Sequence, residues 1–156
     1  MAGPGNDLPF IDRLAVEVAA DRSATWAALI EVLTRSLETR GSRLGSRLLG
    51  SSVLEAGGPR PLAPGSTLPG FRVVSVDPSR ELVLDGSHRF ARHEMAFEVG
   101  EIDPVRSELA VVTRAEFPGP VGTAYRALVI GSRGHVLVTR RLLNSVRREA
   151  EGGGST

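Results

Sequence analysis

The sequence predicts an α+β fold in which a curved antiparallel β-sheet wraps around a long C-terminal helix, with one or two short helices after the first strand. Three observations predict it. Segments 71–77, 80–84, 88–99 and 107–117 follow one another closely, each with one apolar face. Residues 121–150 carry apolar side chains at helical spacing. A strand and a helix precede the series, and proline and glycine gather at the joints.

The elements follow in order. In "IDRLAVEVAA", Ile11, Leu14, Val16 and Val18 are apolar while Arg13 and Glu17 point the other way, which predicts a strand over 11–19. In "DRSATWAALIEVLTRSLE", Trp26, Leu29, Ile30, Leu33 and Leu37 form one helical stripe, with Ser23 as N-cap and Gly41 as stop. Trp26 lies on that stripe, so it reads as core packing. Leu44, Leu48 and Leu49 suit a short second helix weakened by Gly41, Gly45 and Gly50. Residues 55–70 form a long proline- and glycine-rich loop, a candidate lid. Asp85-Gly86 suits a type I′ hairpin between the second and third strands of the series. "PGP" at 118–120 ends the sheet. In the closing helix Tyr125, Leu128, Val129, Ser132, Val136, Thr139, Leu143 and Val146 trace one face, and Gly131 and Gly134 predict a kink.

The 156 residues suit one domain over 10–150, with flexible ends at 1–9 and 151–156. Hydrophobic residues make up 41%, a globular composition. Cysteine is absent, which excludes disulfides and thiolate metal sites. All 19 basic residues are arginine, which excludes Schiff-base lysine chemistry and P-loop phosphate binding. No apolar run reaches ~18 residues, so no membrane insertion is expected. The start "MAGPGNDLPF" does not read as a signal peptide, and a cytoplasmic location is expected. The net charge of +1 gives no global attraction for nucleic acid. Arg140, Arg141, Arg147 and Arg148 complement the helix C-terminus, are diluted by Glu149 and Glu151 and lack interleaved aromatics, so nucleic-acid binding is not expected.

The stretch "GSHRFARHEMAF", 86–97, holds two of the three histidines. Read as one strand, it puts Ala91, His93, Met95, Phe97 and Val99 toward the interior and His88, Phe90, Arg92, Glu94, Ala96 and Glu98 toward solvent. His88 and His93 then fall on opposite faces and cannot readily share a metal, so neither metal nor cofactor is expected. Arg92 and Glu94 suit cross-strand pairing with Arg114 and Glu116. Glu94 or Glu116 as a general base would need burial, which the pattern does not predict.

Three stretches together resemble the START-like, or SRPBCC, helix-grip superfamily of polyketide cyclases and lipid carriers. They are the opening "VEVAADRSATWAAL", the hairpin series "LPGFRVVSVDPSRELVLDGSHRFARHEMAFEV" and the closing "AYRALVIGSRGHVLVTRRLLNSVRREA", together covering about residues 11–150. The resemblance implies a cavity between sheet and long helix that holds an apolar or aromatic small molecule; it implies no single catalytic motif. The expected cavity wall is His93, Met95, Phe97, Val111, Thr113, Tyr125, Leu128, Ser132 and His135. Binding or transport of a lipid- or polyketide-like ligand by a monomer or homodimer is the leading expectation, with no residue assigned a catalytic role. The alternatives are a cyclase or dehydratase, with His93 or His135 as acid–base and Tyr125 or Arg126 steadying enolate charge, and a non-enzymatic protein-interaction module.

Overall fold

A computed structural model describes residues 7–37, 44, 47–48, 50–51, 53 and 56–153. Its elements are β1 (Phe10–Val18), α1 (Arg22–Leu37), β2 (Thr67–Leu68), β3 (Phe71–Asp77), β4 (Glu81–His88), β5 (Ala91–Asp103), β6 (Arg106–Glu116), α2 (Gly119–Val129) and α3 (Gly134–Gly152). The six strands form one curved antiparallel sheet in the order β1-β6-β5-β4-β3-β2. This is the expected α+β architecture, with helices on the sheet's concave face. The Gly41 stop and most of the short helix expected at 44–49 lie outside the described residues.

The core follows from strand alternation. Val18, Val73, Leu82, Leu84, Phe97, Val99, Leu109 and Val111 point to the concave side and meet Leu29, Val32 and Leu33 of α1 and Leu143, Val146 and Ala150 of α3. Trp26 packs against this cluster, as its place on the stripe requires. The long loop is pinned instead of hanging free: Leu62 and Leu68 join the core, and the Ser66 hydroxyl donates to the Pro59 carbonyl at 2.7 Å.

Four details differ from the expectations. Asp21, not Ser23, caps α1, accepting the Ala24 N–H at 2.8 Å. The β4–β5 turn falls at Arg89–Phe90, not at Asp85-Gly86, which pair inside the ladder with Glu94 and His93. Gly86 serves close approach, not a turn: a Cβ there would overlap the Gly70 carbonyl oxygen and come within 2.7 Å of His93 Nε2. Glu94, expected outward, retains only 6% exposure. Finally, the closing helix is two helices. Arg133 adopts a left-handed conformation (φ 59°), which breaks the ladder between α2 and α3.

Candidate functional site

Register orders the concave face into transverse rows. Leu82, Phe97, Val111 and Leu14 align across β4, β5, β6 and β1, an apolar row. The next row is Leu84, Met95, Thr113 and Asp12. The one after it holds Gly86, His93 and Ala115. One end of the face is therefore apolar, and polar groups enter from the Thr113 row onward.

At that polar end, rings from six places in the chain converge. Phe71 of β3 meets His93 edge-on at 5.1 Å between centroids. His93 lies 5.6 Å from His88, and His88 lies 5.1 Å from Tyr125 of α2. Tyr125 stacks on Phe90 at 5.2 Å and leans toward Phe117 at 6.2 Å. Because the turn lies at Arg89–Phe90, His88 belongs to β4 and pairs with Ala91, so it shares the face of His93. The expected separation of the two histidines onto opposite faces is thus corrected.

Burial sets the electrostatics. It pushes His93 down to about 4, helped by the charge of His88 and opposed by a hydrogen bond to the Gly70 backbone. Burial also lowers His88, whose Nδ1 accepts the Phe90 N–H at 3.2 Å and so holds the ring proton on Nε2. The Tyr125 phenol is raised by burial. Near neutral pH the end wall is therefore two uncharged imidazoles and one uncharged phenol.

A second polar pair joins the sheet to α3. His135 Nε2 lies 3.3 Å from Asp12 Oδ2, with both side chains mostly covered. His135 stands one turn before Thr139 and extends the buried stripe Thr139, Leu143, Val146 and Ala150. A carboxylate against an imidazole orients the ring and can support proton transfer. Beside Asp12 on β6, Thr113 is buried and its Oγ1 has no hydrogen-bond partner.

The nine expected wall residues are thus distributed unevenly. Phe97 and Val111 are sealed in the core, with Met95 packed against it. His93 and Tyr125 enter the ring cluster, and Thr113 and His135 lie at or beside Asp12. Ser132 is exposed and Leu128 is 69% exposed, so the structure does not bring these two to the others. Sequence reasoning missed Asp12, His88 and the rings of Phe71, Phe90 and Phe117. Asp12 had a readable signal: it is in phase with Leu14, Val16 and Val18 on the apolar side of β1. On the convex face, Arg92 pairs with Glu116 at 3.3 Å as expected. Burial raises Glu94; Arg114 pulls it back, and Asp85 and Glu81 add to the rise. Among the described residues no three histidine or carboxylate side chains gather as a metal set.

No protein-family model matches the sequence, and no curated protein matches it. Solved structures do. A norcoclaurine synthase point mutant from Thalictrum flavum, in complex with a transition-state analogue, is 12% identical, with 96% of this chain and 100% of that chain covered and a TM-score of 0.56. A START superfamily protein from Mycobacterium smegmatis is 12% identical, covering 89% of this chain and 98% of that one, with a TM-score of 0.52. The di-domain ARO/CYC protein BexL of the BE-7585A biosynthetic pathway is 11% identical, covering 93% of this chain but 47% of its own, with a TM-score of 0.58. At such identities the likeness concerns the fold. The chain has the helix-grip fold of the START-like, SRPBCC superfamily.

Proposed function

We propose that this protein binds an apolar or aromatic small molecule, lipid- or polyketide-like, between the polar end of the concave sheet face and the α2–α3 pair. One observation carries the reading. Four of the chain's seven aromatic residues and two of its three histidines meet at that end, drawn from β3, β4, the β4–β5 turn, β5, the segment after β6, and α2. A core needs no such convergence, since Phe97, Leu29, Leu33 and their neighbours already close the other end. Stackable rings supply affinity by desolvation and face contact, and a few uncharged polar groups orient the ligand. In the present arrangement the rings contact one another, so a ligand enters by parting Tyr125 from Phe90 and His88. The helix that carries Tyr125 buries only Gly122, so its displacement disturbs little of the core. The structures of the same fold include one holding a transition-state analogue, which agrees with small-molecule occupancy.

The test is titration of the full chain with the neutral apolar fluorophore N-phenyl-1-naphthylamine. Tyr125→Ala and Phe90→Ala should each weaken binding by roughly tenfold, the loss of one ring contact of ~1 kcal/mol or more. Phe10→Ala, an exposed ring paired with Arg114 on the convex side, should leave it unchanged. Equal affinity in all three variants defeats the reading. Native mass spectrometry of the purified protein then seeks the natural ligand.

A further inference from the structure

We infer that the exposed surface of the α2–α3 elbow docks peripherally on an anionic lipid surface. The elbow combines exposed apolar side chains with unneutralised positive charge. Val121 (62% exposed) and Leu128 (69%) of α2, and Leu137 (53%) and Val138 (66%) of α3, are large apolar residues left in solvent. They are four of the nine such residues in the described chain, and all four fall between Val121 and Val138. On α3 the phase is unambiguous. Thr139, Leu143, Val146 and Ala150 face the core, and Leu137 stands about 200° of helical rotation from Thr139, so it faces away.

Charge separates along the chain in the same place. Residues 117–148 hold six arginines and no aspartate or glutamate, whereas the rest of the chain sets thirteen arginines against eighteen acidic residues. The near-neutral total conceals this division. Three arginines of the sheet are paired, Arg13 with Glu108 at 2.6 Å, Arg92 with Glu116 at 3.3 Å and Arg106 with Asp103 at 2.7 Å. Among the described residues, Arg126, Arg133, Arg140 and Arg141 join no ion pair, and all four are exposed.

The combination selects the occupant. A symmetric second copy would set this arginine-rich face against itself, which like-charge repulsion opposes. Nucleic-acid phosphates would take the arginines and leave the valines and leucines wet. An anionic bilayer surface satisfies both: apolar side chains enter the headgroup–acyl boundary while guanidinium groups remain at the phosphate level. No described helix is long and apolar enough to cross a membrane, and surface docking requires none.

Flotation of the full chain with vesicles tests this. Partition onto phosphatidylcholine–phosphatidylglycerol vesicles at low salt should exceed that onto phosphatidylcholine alone by roughly tenfold or more. The double variant Arg126→Glu/Arg133→Glu should fall to the phosphatidylcholine level. Leu137→Asp/Val138→Asp should fall likewise while keeping a cooperative urea unfolding transition, which shows it is folded. Equal partition onto both vesicles, or unchanged partition of either variant, overturns the inference. So does failure of the wild-type chain to float with either vesicle, in which case an acidic protein surface becomes the occupant to seek. The fluorophore titration reads the interior site separately, so loss of one result leaves the other standing.

Discussion

Ser107 and Thr113 are buried hydroxyl residues on the same face of β6, and the fold treats them oppositely. At the apolar end the Ser107 hydroxyl donates to the Ala20 carbonyl at 3.0 Å and accepts from Thr25 at 2.7 Å. Three polar groups are satisfied there, and α1 is fastened to the sheet. At the ring end Thr113 Oγ1 is equally hidden and bonds to nothing. Buried polar groups are nearly always paired, and an unpaired one costs about 1–3 kcal/mol. The apolar end obeys the rules of a stable core, while the ring end departs from them with an orphan hydroxyl and two imidazoles. Departures concentrated at one end of a face, with consistency at the other, separate the part that holds the fold from the part available for a ligand.

The largest test of that division is Phe97→Ala. Phe97 is fully buried in the apolar row, so its truncation should cost about 3–5 kcal/mol in urea unfolding. Phe90→Ala at the ring end should cost about 1 kcal/mol, the worth of one partly exposed ring contact. Comparable losses would mean that both ends are core and would break the comparison.

The second test is the pH dependence of stability. His93 titrates near 4 in the folded chain against 6.5 when unfolded. Between those values the unfolded state takes up a proton that the folded state refuses, so stability should fall as pH drops from 6.5 to about 4. His88 is shifted in the same direction, whereas the raised carboxyl of Glu94 works the other way, favouring the folded state as pH falls. His93→Asn should remove the largest part of the loss, about 2–3 kcal/mol over the window. Urea midpoints at pH 7 and pH 5 for both chains check it; parallel declines would show that His93 is not desolvated.

What was legible in the sequence follows the same division. The alternation of Leu14, Val16 and Val18, the stripe of α1 and the spacing of Leu143 and Val146 were readable because apolar burial imposes a period. The ring end was less so, for reasons of local geometry. Asp85-Gly86 carries turn chemistry, yet Gly86 is spent on the close approach of Gly70 and His93, so the turn moved to Arg89–Phe90 and His88 changed strand. Asp12 was hidden because Ile11 suggested the opposite phase, and a bulge between Phe10 and Asp12 reconciles them. Leu128 was placed by running one helical phase through 121–150, but the left-handed Arg133 resets that phase, so residues before the break cannot be placed from those after it.

The finest test concerns Thr113 itself. Valine has nearly the same shape as threonine, so Thr113→Val deletes the orphan hydroxyl without opening a cavity. Replacing an unsatisfied polar group by an apolar isostere should stabilise the ligand-free chain, here by about 1 kcal/mol, read as a higher urea midpoint at unchanged slope. The same exchange in a hydrogen-bonded threonine would destabilise, so the sign carries the information. If the hydroxyl is kept for a ligand, the stabilised variant should also bind a hydrogen-bonding ligand more weakly, while its affinity for N-phenyl-1-naphthylamine, which gains mainly from ring contact, changes little. A variant less stable than the parent would show that Thr113 is partnered in solution, and the contrast with Ser107 would then disappear.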